Sequence, residues 1–177
     1  MKIDELKMLI ENDKLLTDKI NKYLQSGILR SQPVDRQEIQ GHIEKSEHNL
    51  KFIFDNLKLG YFDWCITGCY YAVYQIALAL ILERGYTSKN HDATLCVLIK
   101  EYNQLGITKE DITLINYFYL NYQDLLFYIN SKNKREEASY STKYLFDKEI
   151  VEELRLKSID LIDKARTILK NSSIFKS

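Results

Sequence analysis

Few side chains in this sequence have the type and spacing to do chemistry. Lys132, Lys134 and Arg135 form a local basic cluster able to face a phosphate, although Glu136 and Glu137 follow at once and offset the charge. Cys65 and Cys69 stand four apart, a two-ligand metal edge on one helix face. Small buried thiols on an apolar helix are far commoner, so no metal is expected there. His42 and His48 are six apart and share no helix face well, which argues against a metal there too. Tyr117, Tyr119, Tyr122 and Tyr128 crowd one stretch of a chain with thirteen tyrosines. Phenol rings in such a row suit a base-stacking groove or a dimer seam, where tyrosine is enriched; the seam is the preferred reading. Arg84 and His91 bracket a loop, and their plainest role is helix termination. Arg135, with Tyr140 beyond it, reads most plainly as an arginine paired to Glu136 or Glu137 on a solvated turn. No glycine-rich phosphate loop and no Ser-His-Asp set is supported by spacing.

These residues must be positioned by helices. From Trp64 to Leu82 there is no charged residue, and the run is long enough for about five helical turns. Gly60 and Gly85 sit just outside it, and Asp63 is placed to be its N-cap. A helix apolar on most faces must be surrounded by protein or by lipid. Thr67, Gly68, Tyr70, Tyr71, Tyr74 and Gln75 lie within the run, whereas tyrosine favours membrane edges. The stretch is therefore read as the central helix of a bundle, with no membrane as partner.

The rest of the chain wraps this helix. A first helix is expected from Ile3 to Leu24, its apolar stripe interrupted at Asp13. The segment from Ile28 to Val34 holds the one proline and is the clear connector. Asp35 and Glu38 have capping-box spacing, and Ile39, Ile43, Leu50, Ile53, Phe54 and Leu57 share one face of the helix that follows. Gly60 suits its C′ position. After His91, Leu95, Leu98, Ile99 and Tyr102 mark a shorter helix. Thr108 and Asp111 open another, whose apolar positions step by three and four. Asp147 caps a last helix with Val151, Leu154, Ser158, Leu161, Ala165 and Ile168 facing inward. No stretch demands a strand. The expectation is an all-α antiparallel bundle of about five or six helices. Residues 1–34 form an N-terminal helix and connector and residues 35–177 the bundle, together one compact domain.

Composition narrows the function. Formal net charge is zero, so any nucleic-acid contact must be local rather than a broad basic surface. The N-terminus alternates charged and apolar residues, unlike a signal peptide. Three scattered cysteines fit a reducing cytoplasm better than a disulfide framework.

From about Leu29 to Tyr140 the sequence resembles the HEPN domains (higher eukaryotes and prokaryotes nucleotide-binding). The likeness rests on ILRSQPVDRQEI leading into a helix and on GYFDW followed by Tyr70-Tyr71-Ala72. SKNH then opens the next helix, and REEASY comes late. The resemblance implies a helical bundle that forms a homodimer and binds RNA or nucleotide without a cofactor. It further implies a protein of the toxin–antitoxin kind, working as a metal-independent endoribonuclease or as a scaffold for a minimal nucleotidyltransferase. The family signature is Arg, four to six residues, then His. By position it falls on Arg135 to Tyr140, where Tyr stands in place of His; Arg84 and His91 fit the spacing as an alternative.

The difference matters chemically. Cleavage of RNA without metal needs a group that takes the ribose 2′-hydroxyl proton, and histidine titrates near neutrality. Tyrosine titrates near 10, making it a poor base at pH 7 but a usable acid. Arginine would hold the phosphate through two parallel hydrogen bonds. Arg135 with Tyr140, flanked by Lys132 and Lys134, is therefore expected to bind phosphate and to cut slowly or not at all.

Overall fold

The computed structural model describes residues 1–130, 147–172 and 174. The elements run α1 (Ile3–Glu11), α2 (Asp13–Gln25), β1 (Leu29–Ser31), α3 (Arg36–Leu59), α4 (Phe62–Glu83), β2 (Tyr86–Ser88), α5 (His91–Tyr102), α6 (Lys109–Asn130) and α7 (Lys148–Asn171). The architecture is the expected all-α bundle, with seven helices among the described residues. The count exceeds expectation because the first helix breaks in two. Asn12 is extended (φ −126°, ψ 95°), and its side chain accepts the Leu15 N–H at 3.0 Å, which ends α1 and caps α2.

The helix boundaries follow the capping residues. Asp35 accepts the N–H groups of Gln37 and Glu38 at 2.8 and 3.3 Å. Glu38 does not close the box; its carboxylate takes the Gln32 amide at 2.9 Å. At the far end of α3, Gly60 sits at φ 80°, Gly60 N–H bonds Leu57 C=O, and Tyr61 N–H bonds Asn56 C=O. That is a Schellman closure, which needs a residue free to adopt positive φ. It also corrects the expectation for Asp63. The closure hands the chain directly to α4, so Tyr61 becomes the N-cap and Asp63 lies within the first turn, where the helix dipole favours a carboxylate. Thr108 and Asp111 do form a reciprocal box, at 2.9 and 3.2 Å.

α4 is the centre, packed against α3, α5, α6 and α7. It is long and apolar enough to cross a bilayer, and 72% of its most apolar 18-residue window is buried inside the bundle. Its contact with α3 is close because residue 68 is glycine. A Cβ there would fall 2.6 Å from Ile53 Cγ1. Beside it, Ser46 Oγ donates to the Ala72 carbonyl at 2.8 Å. Burial on α7 follows the expected face through Val151, Leu154, Ser158, Leu161 and Ala165.

The expected absence of strands is overturned. β1 and β2 pair antiparallel, with Leu29 opposite Ser88, Arg30 opposite Thr87 and Ser31 opposite Tyr86. Gly27 and Gly85, both at positive φ, turn the two connectors alongside one another. Ser88 Oγ then donates to the Ile28 carbonyl at 2.9 Å. This ribbon sets the entry to α5, where Asn90 accepts the Ala93 N–H at 2.9 Å. Asn90→Ala should cost about 1 kcal/mol, read as a melting temperature about 2–4 °C lower in a thermal circular dichroism scan.

Candidate functional site

The connector from α4 to α5 carries Arg84 and His91, and the two point into different surroundings. Arg84 is the C-cap of α4. Its Nε lies 3.1 Å from Glu83 and 3.9 Å from Glu101, and its guanidinium covers the Tyr102 ring at 5.1 Å. The Tyr102 hydroxyl, with one proton, meets two acceptors: the Leu80 carbonyl at 2.7 Å and Glu83 Oε2 at 2.6 Å. Burial, reinforced by the Glu83 carboxylate, raises the Tyr102 pKa. Arg84 thus belongs to a local network that ties the end of α4 to α5, a helix-terminating role.

His91 opens α5 and is only 5% exposed. Its ring stacks on Tyr119 of α6, with centroids 3.9 Å apart and planes 8° apart. Tyr74 and Tyr70 of α4 stand at 5.8 and 6.2 Å. Burial first, and the Met1 ammonium second, hold its pKa down to about 3. A general base must reach the proton it takes and must titrate near the working pH; this imidazole does neither. No hydrogen bond, ion pair or ring contact joins Arg84 to His91.

Around His91 the tyrosines form one aromatic cluster. Tyr70 stacks on Tyr122 at 4.5 Å and on Tyr74 at 5.5 Å. Tyr71 meets Tyr122 edge-on at 5.3 Å, and their hydroxyls lie 2.7 Å apart. Burial, with the Tyr71 contact, pushes Tyr122 up to about 12, so the Tyr122 phenol stays protonated at neutral pH. Tyr119 and Tyr122, expected on a seam between copies, therefore face α4 and α5 of their own chain. Among the three whose side chains are described, Tyr117 alone is exposed; the side chain of Tyr128 lies outside the described residues. The Tyr71–Tyr122 pair was missed at the sequence level; its signal was the Tyr70-Tyr71 doublet on the central helix.

The other candidates have structural surroundings. Cys65 and Cys69 are buried thiols, pushed by burial up to about 11 and about 12, so the thiolate a metal needs is disfavoured. No group of three or more metal-ligating residues gathers among the described residues. His42 Nδ1 contacts Gln75 Oε1 at 2.6 Å, which pins α3 to α4. A cleft of about 1090 Å³ runs between α6 and α7, with Leu114, Tyr117, Ile150 and Leu154 along it and both signs of charge at its edge. Lys132, Lys134, Arg135 and Tyr140 lie outside the described residues.

Comparison with known proteins settles the family. The family model of the HEPN domain matches residues 39–170, from early α3 to the end of α7. This chain belongs to the HEPN domain family. Two archaeal relatives agree. One, from Methanocaldococcus jannaschii, is named "Putative toxin MJ0142" and is 24% identical over 80% of this chain and 88% of its own length. The other, a UPF0332 protein from Archaeoglobus fulgidus, is 25% identical over 78% of this chain and 89% of its own. The HEPN match begins three residues inside α3, so the helices and strand before it lie outside the matched span although they pack on the HEPN core.

Proposed function

We propose that this HEPN protein binds RNA or a nucleotide, as a toxin of the toxin–antitoxin kind, through the segment holding Lys132, Lys134, Arg135 and Tyr140. The burial of His91 carries this choice. With His91 inside the core and Arg84 engaged by two carboxylates, the rival Arg-x6-His pair has no accessible base. The family match and the toxin-named relative support the class of activity. Arg135 would grip a phosphate in two places and the lysines would add point charges. Tyr140 would orient the ribose or donate a proton, so cleavage is slow or absent. Fluorescence anisotropy with short single-stranded RNA and with nucleoside phosphates, at low salt and without divalent metal, tests the reading. Absence of binding to every probe would rule it out.

A homodimer fits the outward face of α4 better than α6. Trp64 is 50% exposed and Tyr71 38% exposed, two turns apart on one face of the otherwise buried central helix. Large exposed aromatics in line on a core helix are what a partner covers. Sedimentation at micromolar concentration should give a dimer, and Trp64→Glu a monomer; a monomeric wild type would refute the assembly.

The second reading is a non-catalytic scaffold for a minimal nucleotidyltransferase. It is favoured by the apolar tip of the α3–α4 hairpin, where Leu59 is 69% exposed and Tyr61 is also exposed. Capture of a small nucleotidyltransferase by wild type but not by Leu59→Lys, with no RNA bound by either, would select it.

A further inference from the structure

His91 serves neither reading, and its surroundings are hostile to charge. Neither Nδ1 nor Nε2 has a hydrogen-bond partner, and the ring is walled by Tyr70, Tyr74 and Tyr119. From α4 the facing groups are the phenols of Tyr70 and Tyr74, both kept neutral by burial. From α6 it is the Tyr119 phenol, while the Asn116 amide holds the Met1 ammonium, accepting from it at 3.1 Å. On α5 itself, the Asp92 carboxylate is engaged by that same ammonium at 2.9 Å. α1 and α2 also pack on α5, but their Glu5, Lys19 and Tyr23 gather around Cys96, further along the helix, where Lys19 pairs with Glu5. Among the described residues, the neighbouring Asp92 carboxylate is thus already paired, and the full charge that acts on His91 is positive. An uncompensated buried charge is far more costly than a buried neutral ring.

We propose that His91 is an acid-labile pin, whose protonation forces the start of α5 away from α4 and α6 and opens the aromatic cluster. The direction follows from linkage. The folded imidazole titrates at about 3 and an unfolded one near 6.5. Between these values the open state binds the extra proton. Closure is therefore fully stable above about pH 6.5 and loses stability as pH falls through that window. Because Tyr119 and Tyr122 lie on α6, opening would also release the helix that leads into residues 131–146.

The test follows the near-ultraviolet circular dichroism of the tyrosines from pH 7.5 downward in wild type and two variants. His91→Phe keeps a ring on Tyr119 but cannot take a proton; His91→Gln removes the ring. Wild type should lose the tyrosine signal near pH 4–5, and His91→Phe should keep it to about one pH unit lower. The His91 ring proton, followed by NMR in wild type, should stay at its neutral shift until the signal is lost. Superimposable acid transitions in wild type and His91→Phe would overturn the proposal. So would a His91 shift that titrates near pH 6.5 with the cluster intact. If His91→Phe does not fold, His91→Gln and the ring-proton titration decide by the same outcomes.

Discussion

Gly68→Val should lower the melting temperature by roughly 6–12 °C, the equivalent of about 3 kcal/mol in a protein of this size. The cause is the approach of α3 to α4. A Cβ at position 68 meets Ile53 Cγ1 at 2.6 Å and Phe52 Cδ1 at 3.0 Å. Ile53 is fully buried, and its Cγ1 sits close to the backbone, so it has nowhere to retreat. Valine adds two methyl groups beyond that Cβ, and relief requires the helices to separate along their most extensive contact. The control is Gly41→Ala on α3, where nothing lies within 4 Å of the added carbon. Alanine there should raise stability by about 0.5–1 kcal/mol through helix propensity alone. Thermal scans of both variants separate propensity from packing. A Gly68→Val protein as stable as wild type would mean the two helices do not meet as described.

Arg135→Ala should weaken RNA binding at low salt by roughly 10- to 100-fold, the size of a lost charged phosphate contact of about 1.5–3 kcal/mol. The slope of log affinity against log salt should fall by about one contact. Arg84→Ala should leave binding unchanged, because that guanidinium already faces Glu83 and Glu101. Tyr140→Phe should bind as wild type but lose any residual cleavage, since it keeps the ring and removes the proton. Should His91→Ala alone abolish fast cleavage, the site would have to be moved to Arg84 and His91.

Local signals were legible in the sequence where one residue type does one job. Asp35, Gly60 and Asp147 act within a turn of themselves and hold the positions their chemistry requires, whereas Asn90, which reads only as part of a polar loop, caps α5. Asp63 was misplaced because the Schellman closure of α3 had already used the residues that would precede it. The stripe of Ile112, Ile115, Tyr119 and Tyr122 is a packing face, as its period indicates. Periodicity cannot say whether the partner is another copy or, as here for the tyrosines, α4 and α5 of the same chain. The strands were invisible because each has three residues and finds its partner far along the chain. The depth of His91 was equally hidden, since a histidine just after a polar loop looks like surface.

The small ribbon has a consequence for what counts as one folding unit. The span matched by the HEPN family model starts at residue 39, yet β1 lies before it and pairs with β2 inside it. Leu6, Leu9, Leu16, Ile20 and Leu29, all upstream of that span, are buried in the shared core. A fragment cut at the boundary of the domain would leave Tyr86–Ser88 as an uncovered strand edge beside the apolar surface stripped of α1 and α2. Unpaired edges next to exposed apolar area recruit other chains. The leading segment thus keeps the β2 edge of this HEPN fold from pairing with strands of other chains, separately from any dimer formed through α4.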